Sequence, residues 1–342
     1  MRYAVITGVT GQDGSFLAEF LLEKNYIVFG LNRRTSSPNT TNIKAVLSHP
    51  NFSLHEFDMT DSTSMIHVFK KIPRDYDVLE VYNLAAQSHV WTSFYQPENS
   101  AMVDALGPLK LLEVIRVLNF QNVRFYQAST SELFGKVQEV PQSEMTPFYP
   151  RSPYGVAKLY SFWITKNYRE SYKMFACNGI LFNHESERRG SEFVTRKITS
   201  GVAKYKKDTS SVIQIGNLNA KRDWGYAKDY IEGMWLILQQ EEADDFVLAT
   251  GQTHSVREFI EKAFAVVNID IRWEGEGSQE KGYDAETGKL VVEVNPEYYR
   301  PAEVECLIGN PEKAKTKLGW SPKVTFDDMV RRMVLHDCEL LQ

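Results

Sequence analysis

The sequence predicts an α/β fold: a doubly wound parallel sheet with a smaller C-terminal lid built onto it. Three observations predict this. Short apolar runs suited to buried strands alternate with helical periods six times before residue 182. The first run, Tyr3-Ala4-Val5-Ile6-Thr7, leads at once into three glycines spaced G-x-x-G-x-x-G (Gly8, Gly11, Gly14), and then into helix-like Ser15 to Leu22. Beyond residue 182 the periodicity weakens and Arg and Trp gather at loop-like positions, yet no linker-like stretch separates the two parts.

The chain has 342 residues, 43% apolar and 24% charged, the composition of an ordinary soluble globular protein of one large or two fused domains. A net charge of −5 makes no electrostatic case for a nucleic-acid partner. No apolar run approaches membrane-spanning length, so no membrane partner is expected. Met1-Arg2 runs straight into the first strand and leaves no room for a signal peptide. Cys177, Cys306 and Cys338 are scattered, which suits a reducing, cytoplasmic setting. The seven histidines show no ligand spacing with Cys, Asp or Glu, so no metal is expected.

Taken in order, strand, spaced glycines and helix read as a phosphate cradle. Glycines let the backbone turn tightly and approach a pyrophosphate seated at the helix N-terminus. The second strand, Ile27 to Leu31, ends at Asn32-Arg33-Arg34-Thr35-Ser36. An NAD site usually has an acidic residue there for the ribose 2′-hydroxyl. Two guanidinium groups and two hydroxyls suit a 2′-phosphate instead, which points to NADP. Ser37 to Asn42 reads as a surface loop.

The third strand, Phe52 to Phe57, ends at Asp58, near where an adenine would lie. The fourth, Val78 to Asn83, is left by Leu84-Ala85-Ala86-Gln87-Ser88-His89, small enough for Leu84, Ala86 and Ser88 to pass close to a cofactor. His89 reads as an ordinary loop histidine. Pro97 to Leu118 carries a long helical period, and the fifth strand, Val123 to Ala128, delivers Ser129 to Glu132 where open α/β sheets place their chemistry. Four prolines between Pro141 and Pro153 make an extended loop, a helix runs to about Tyr172, and Phe175 to Leu181 is the sixth strand.

Further on, a helix carries Phe193, Val194, Arg196 and Lys197, and Val212 to Ile215 is strand-like. Tyr226 to Gln239 is helical and Phe246 to Ala249 reads as a seventh strand of the main sheet. Ser255 and Glu258 suggest a capping box. Gly275 to Lys289, glycine-rich and charged, reads as an exposed loop. Helices from Pro311 and from Phe326 to Leu341 close the chain.

Tyr154 and Lys158 share one helix face. A free phenol, with a pKa near ~10, is a poor base at neutral pH. An ammonium beside it favours the phenolate, which can then take a proton from a sugar hydroxyl. Alone, this spacing is more often an amphipathic helix with a snorkelling lysine. Beside Thr130, Glu132 and the glycine loop, it reads as chemistry.

These segments together resemble the extended short-chain dehydrogenase/reductases, and among them the GDP-mannose 4,6-dehydratase family. The resemblance runs nearly end to end. It rests on the Gly8 to Ser15 loop, Asn32-Arg33-Arg34, Ala128 to Gly135, Tyr154 to Lys158, Asn183 to Ser186, Arg222 to Gly225 and Arg300 to Val304. Relatives that dehydrate dTDP-glucose carry Asp-Glu after the threonine. Here it is Ser131-Glu132, and sugar-nucleotide 4-epimerases lack the glutamate. Glu187 departs from the family's proline before two arginines.

The resemblance implies conversion of GDP-D-mannose to GDP-4-keto-6-deoxy-D-mannose with NADP. Thr130, Glu132, Tyr154 and Lys158 would be catalytic: Tyr154, helped by Thr130, takes the C4 hydroxyl proton, and Glu132 removes the C5 proton and helps expel water at C6. Lys158 would hold the nicotinamide ribose. Gly8, Gly11, Gln12, Asp13 and Gly14 would face the pyrophosphate; Arg33, Arg34, Thr35 and Ser36 the adenosine end; Asp58 the adenine; His184 and Arg189 the nicotinamide half. Ser88, Glu132, Asn183, Val194, Lys197, Arg222, Arg300 and Glu303 would contact the sugar nucleotide. A Rossmann domain is expected over residues 1–182, joined by the strand near 245–250, with 183–342 mainly for the substrate. The loop after the second strand would reach a neighbouring subunit in a homotetramer. A slow NADPH-dependent C4 reduction of the product to GDP-D-rhamnose is also expected. The rival readings are another NADP-dependent sugar-nucleotide epimerase or reductase and a non-enzymatic NADPH sensor. Glu132 speaks against the first, and the trio Tyr154, Lys158 and Glu132 against the second.

Overall fold

Successive residues of a strand point to opposite faces, and both sets are buried in the first strand: Ala4 and Ile6 on one side, Tyr3 and Val5 on the other. A strand buried on both faces requires helices on both faces. The computed structural model describes residues 1–37, 39–298, 304 and 306–341. In chain order its strands begin with β1 (Arg2–Thr7), β2 (Ile27–Asn32), β3 (Phe52–Glu56), β4 (Val78–Asn83), β5 (Val123–Thr130), β6 (Phe175–Leu181), β7 (Asn183–Glu185) and β8 (Ile213–Ile215). They continue with β9 (Lys221–Arg222), β10 (Trp224–Tyr226), β11 (Phe246–Leu248), β12 (His254–Ser255), β13 (Ile271–Glu274), β14 (Lys281–Asp284) and β15 (Leu290–Val294). The helices are α1 (Gln12–Glu23), α2 (Ser62–Phe69), α3 (Val90–Tyr95), α4 (Pro97–Ser100), α5 (Gly107–Val117), α6 (Pro153–Tyr172), α7 (Val194–Lys207), α8 (Ala227–Gln239), α9 (Val256–Ala265) and α10 (Phe326–Leu340).

Seven strands form one parallel sheet in the order β11-β6-β5-β4-β1-β2-β3. The chain winds outward from β1 through β2 to β3, then crosses to β4 and winds the other way. The reversal lies between β1 and β4, where ligands of such sheets bind beyond the carboxyl ends. The core on one face includes α1 and α8, with Phe16, Leu17, Leu21, Met234 and Ile237. The core on the other includes α2 and α5, with Met65, Phe69, Leu111 and Ile115.

The long helical period of 97–118 is three segments: α4, a π turn over Ala101–Leu106, and α5. The π turn widens the coil and turns Asp104 into the interior, where it is 1% exposed. The expected capping box is half made: Ser255 Oγ accepts from Glu258 N (3.0 Å), but Glu258 Oε1 bonds His254 Nδ1 (2.8 Å).

The exposed loop expected over Gly275 to Lys289 is corrected. It contains β14, which lies between β13 and β15 in a four-stranded sheet of order β13-β14-β15-β8. The lid is therefore more regular than its sequence suggests. It has its own core, in which Ile198 and Val202 of α7, Phe259 and Phe264 of α9, and Met329 and Met333 of α10 meet Val291 and Val292.

Candidate active site

The glycine loop is shaped for a close neighbour. Gly8 has φ +68°, and a Cβ there would lie 3.0 Å from Ala85 Cα. A Cβ on Gly14 would lie 2.4 Å from Gly8 O. Thr7 ties the two strand ends at the reversal. Its hydroxyl donates to Asn83 Oδ1 (2.8 Å) and accepts from Leu84 N and Ala85 N (3.0 Å each). Gly11 is the N-cap of helix α1 and offers no side-chain cap, so the positive helix end is presented by backbone N–H groups alone. These features fit a pyrophosphate.

Gln12 and Asp13, expected at the pyrophosphate, have their side chains joined to the segment after β6. Gln12 Nε2 donates to His184 O (3.1 Å), and its Oε1 accepts from Ser186 Oγ (2.7 Å). Asp13 Oδ2 lies 2.9 Å from His184 Nε2, and His184 Nδ1 lies 2.7 Å from Phe182 O. Both ring nitrogens thus face acceptors, which only the imidazolium satisfies as a double donor. Burial works against the charge, but Asp13 outweighs it and His184 is raised above its usual 6.5. Burial likewise works against ionised Asp13, but His184, the Gln12 amide and Arg189 together outweigh it and Asp13 is lowered below its usual 3.8. The ring also stacks on Tyr230, centroids 4.7 Å apart.

The pair joins the sheet's first helix to the lid side, with a defined pH signature. The contribution of His184 is full below pH 6.5 and is lost as pH rises through its folded pKa. That of Asp13 is present above pH 3.8 and is lost as pH falls through its folded pKa. The gap in melting temperature between the native protein and His184→Asn is therefore expected to be widest between these values and to shrink toward alkaline pH. A gap independent of pH would show that the ring is held neutral.

Helix α6 puts Tyr154 and Lys158 in place. Ser152 Oγ caps it by accepting from Gly155 N (3.0 Å), and Pro153 opens the first turn. Tyr154 is 7% exposed and Lys158 3%. Lys158 Nζ donates to Ala128 O (2.8 Å) at the end of β5 and sits 5.9 Å from the Tyr154 ring centroid. The expected lowering of the phenol by this ammonium is corrected. Burial, then Asp104, push the Tyr154 phenol well above its usual value; the Thr130 hydroxyl and Arg189 pull it back, and Glu132 pushes with Asp104. Burial also lowers Lys158, countered by Asp104.

Asp104 is the site residue that the sequence did not reveal. Its Oδ1 accepts from Gln87 N (2.7 Å), and its buried Oδ2 has no hydrogen-bond partner among the described residues. Burial raises its carboxyl to about 7, with Lys158 pulling the other way. Thr130 ends β5 and caps the next turn, its Oγ1 accepting from Glu132 N (3.2 Å). Glu132 follows in the 3-10 turn Ser131–Leu133 and is 8% exposed. A phenol, an ammonium, a hydroxyl and two carboxylates thus converge at the C-terminal end of β5.

A profile of the GDP-mannose 4,6-dehydratase family matches residues 5–333. The GDP-mannose 4,6-dehydratase 2 of Caenorhabditis elegans is 56% identical over 100% of this chain and 90% of its own length. That of Homo sapiens is 56% identical over 99% and 92%. The chain belongs to the GDP-mannose 4,6-dehydratase family. A member from Vibrio cholerae is 52% identical over 100% of this chain and 95% of its own. Among solved structures, a dTDP-glucose 4,6-dehydratase from Streptomyces venezuelae with NAD bound shares the fold at TM-score 0.83 and 20% identity, covering 99% of this chain and 97% of that one.

The other residues singled out by the family motifs lie on loops that follow the sheet strands and on elements of the lid. Leu84, Ala86 and Ser88 lie in the loop after β4, beside Gly8 and Asp104. Arg33, Arg34, Thr35 and Ser36 are exposed beyond β2; Arg34 Nε lies 3.8 Å from Glu56 Oε2, both largely in solvent. Asp58 follows β3, and its Oδ1 accepts from Thr60 N (2.8 Å). Asn183 is on β7, Val194 opens α7, and Lys197 Nζ lies 3.8 Å from the Tyr298 ring centroid. Arg222 Nη1 donates to Val304 O (2.7 Å). Its neighbour Asp223 accepts from Thr250 N, Thr250 Oγ1, Gly251 N and Gly309 N, which knots the lid to the end of the sheet. Arg300 and Glu303 lie outside the described residues. Among the described residues no group of three or more His, Cys, Asp or Glu is placed to hold a metal ion, and no helix is long and apolar enough to cross a membrane.

Proposed function

We propose that this chain converts GDP-D-mannose to GDP-4-keto-6-deoxy-D-mannose, a hydro-lyase reaction, using bound NADP. The observation that carries the reading is the convergence of Tyr154, Lys158, Thr130 and Glu132 at the end of β5, in a chain of this family. When bound, NADP would supply hydride chemistry, taking hydride from C4 and returning it at C6. The protein's own groups move the protons. Tyr154 accepts the C4 hydroxyl proton beside Thr130. Lys158 has one N–H on Ala128 O and two left for the nicotinamide ribose. The C4 ketone acidifies C5–H, and Glu132 takes that proton and passes it to the C6 hydroxyl, which departs as water; when hydride is returned at C6, C5 takes up a proton, balanced by the C4 hydroxyl proton that Tyr154 gives up to restore the phenolate.

In this reading the glycine loop cradles the pyrophosphate, Asp58 lies at the adenine, and His184 and Arg189 face the nicotinamide half. Ser88, Asn183, Val194, Lys197 and Glu303 border the sugar nucleotide, with Arg222 and Arg300 at its diphosphate. Residues 1–182, with the strand at 246–248, hold the cofactor, and 183–342 hold mainly the substrate. Incubation with several sugar nucleotides tests the activity. Loss of one water from GDP-mannose alone supports it, and an isomer of unchanged mass would favour an epimerase.

Arg33 and Arg34 favour NADP over NAD. Replacing both by alanine is expected to weaken NADP far more than NAD, by about 1.5–3 kcal/mol for each lost contact. Equal losses in a binding titration would defeat the preference.

The same C4 machinery supports a slow second reaction. The finished product has no C6 hydroxyl to expel, so with added NADPH its C4 ketone is open to reduction, Tyr154 acting as acid. GDP-D-rhamnose is the expected product. No NADPH consumption with purified product, or only the talo epimer, would exclude it.

The chain acts as a homo-oligomer. Val156, Tyr160 and Trp163 are exposed at helical spacing along α6, and Met102 and Leu106 are exposed on the neighbouring π turn. A tetramer in which the loop after β2 reaches a second subunit extends this reading. Free thiols at Cys177, Cys306 and Cys338 favour a cytoplasmic setting.

A further inference from the structure

Residues 184–188 lie along helix α1 as a strap. β7 pairs with β10, Asn183 beside Trp224 and Glu185 beside Tyr226, so its backbone belongs to the lid side. The side chains that follow reach back to the helix that opens the main sheet. Gln12, Ser15, Phe16 and Glu19 stand at i, i+3, i+4 and i+7 and share one face of α1. Each of the four meets the strap. Gln12 Nε2 donates to His184 O (3.1 Å), and Gln12 Oε1 accepts from Ser186 Oγ (2.7 Å). Ser186 Oγ also accepts from Arg188 N (3.0 Å). Arg188 Nη1 donates to Ser15 Oγ (3.0 Å), which itself donates to Gln12 O (2.8 Å). Arg188 Nη2 donates to Glu19 Oε1 (2.6 Å), and the guanidinium lies 4.0 Å from the Phe16 ring centroid.

Arg188 thus spans about two turns of α1 from Gln12 to Glu19. The Arg188 and Glu19 side chains are 22% and 23% exposed, so their ion pair is screened less than one in open solvent. Parting the lid side from α1 has to break these bonds. The turn they close over carries the free N–H groups that fit a pyrophosphate.

The reaction takes hydride from C4 and returns it at C6 of the same sugar. A cofactor that left between these steps would take the hydride with it. We propose that Arg188, locked to Ser15 and Glu19, is the positioning residue that keeps the strap on α1 and so retains the nicotinamide cofactor between C4 oxidation and C6 reduction. This rests on the dehydratase reading above. Arg188 acts through the strap, so it sets how long the cofactor stays and leaves the proton transfers of Tyr154 and Glu132 alone.

Three variants test it. Arg188→Leu keeps an apolar stem over Phe16 and loses both donors. Glu19→Gln keeps the size of the acceptor and loses its charge. Lys228→Leu is the control: Lys228 is exposed on α8 with Nζ 4.9 Å from the same Phe16 ring, so it removes a like charge beside the strap. Each protein is loaded with NADPH, and in a parallel set with NADH. Release is followed by nicotinamide fluorescence after a chase with excess oxidised cofactor. Release is expected to be about tenfold faster in Arg188→Leu, the order that losing a charge-assisted contact gives. Glu19→Gln should speed it by less, and Lys228→Leu should match the native protein. GDP-mannose is then turned over beside glutathione reductase and oxidised glutathione, which consume any NADPH set free. Arg188→Leu should lose NADPH to this trap, while its single-turnover rate of nicotinamide reduction at saturating cofactor stays native. Release no faster in Arg188→Leu than in Lys228→Leu overturns the proposal. Faster release matched by an equal loss in the single-turnover rate also overturns it, because Arg188 would then be a general support of the fold. A native protein that dehydrates nothing overturns the dehydratase reading instead, and the release rates still judge the strap. Should Arg188→Leu fail to fold, Glu19→Gln decides by the same comparison.

Discussion

Glu132→Gln is expected to stop the reaction after its first half. The amide matches the carboxylate in size and can still sit in the 3-10 turn after Thr130, but it cannot accept the C5 proton. Tyr154, Thr130 and Lys158 are untouched, so oxidation at C4 should proceed. The variant should therefore hold reduced nicotinamide after one turnover, while release of dehydrated sugar nucleotide falls by about 10²–10⁴-fold, the usual loss on removing a general base. Single-turnover absorbance and product mass, read on the same sample, decide it. Dehydration at the native rate would remove Glu132 from the mechanism.

Most of the sheet was legible because its inner strands are buried on both faces and so read as apolar runs, whereas the half-buried edge strand β3 showed as alternation. The reversal beside β1 was marked by glycines that only a tight turn needs. The lid's sheet was hidden for the opposite reason. β14 is Lys281-Gly282-Tyr283-Asp284, a composition suited to a turn, and Asp284 is buried there because Tyr205 Oη donates to it (3.0 Å). No local pattern announces a partner 79 residues away. The Asp13–His184 pair was invisible in the same way, since both residues were found singly and nothing in the sequence joins them. Asp104 escaped because a helical period assumes 3.6 residues per turn, and the π turn that aims it inward breaks that count.

At Tyr154 the sequence located the group but misjudged its field. Lys158 was expected to free the phenolate by proximity, yet the ammonium bonds Ala128 O and burial dominates the phenol. The base therefore depends on its whole surroundings, and the consequences of removing it follow. Tyr154→Phe keeps the ring and its packing but leaves no acceptor for the C4 hydroxyl proton. Nicotinamide reduction is expected to fall by about 10²–10⁴-fold, and the little that remains should lose the acid limb of its pH dependence, because the titrating group is gone. The block differs from that of Glu132→Gln in a way that can be read directly. The phenylalanine variant should keep its nicotinamide oxidised, and the glutamine variant should hold it reduced. Thr130→Val should fall between the native protein and Tyr154→Phe, with its acid limb moved to higher pH, since the hydroxyl that helps hold the phenolate is lost. Reduced nicotinamide building up in Tyr154→Phe as fast as in the native protein would show that another group takes the C4 proton.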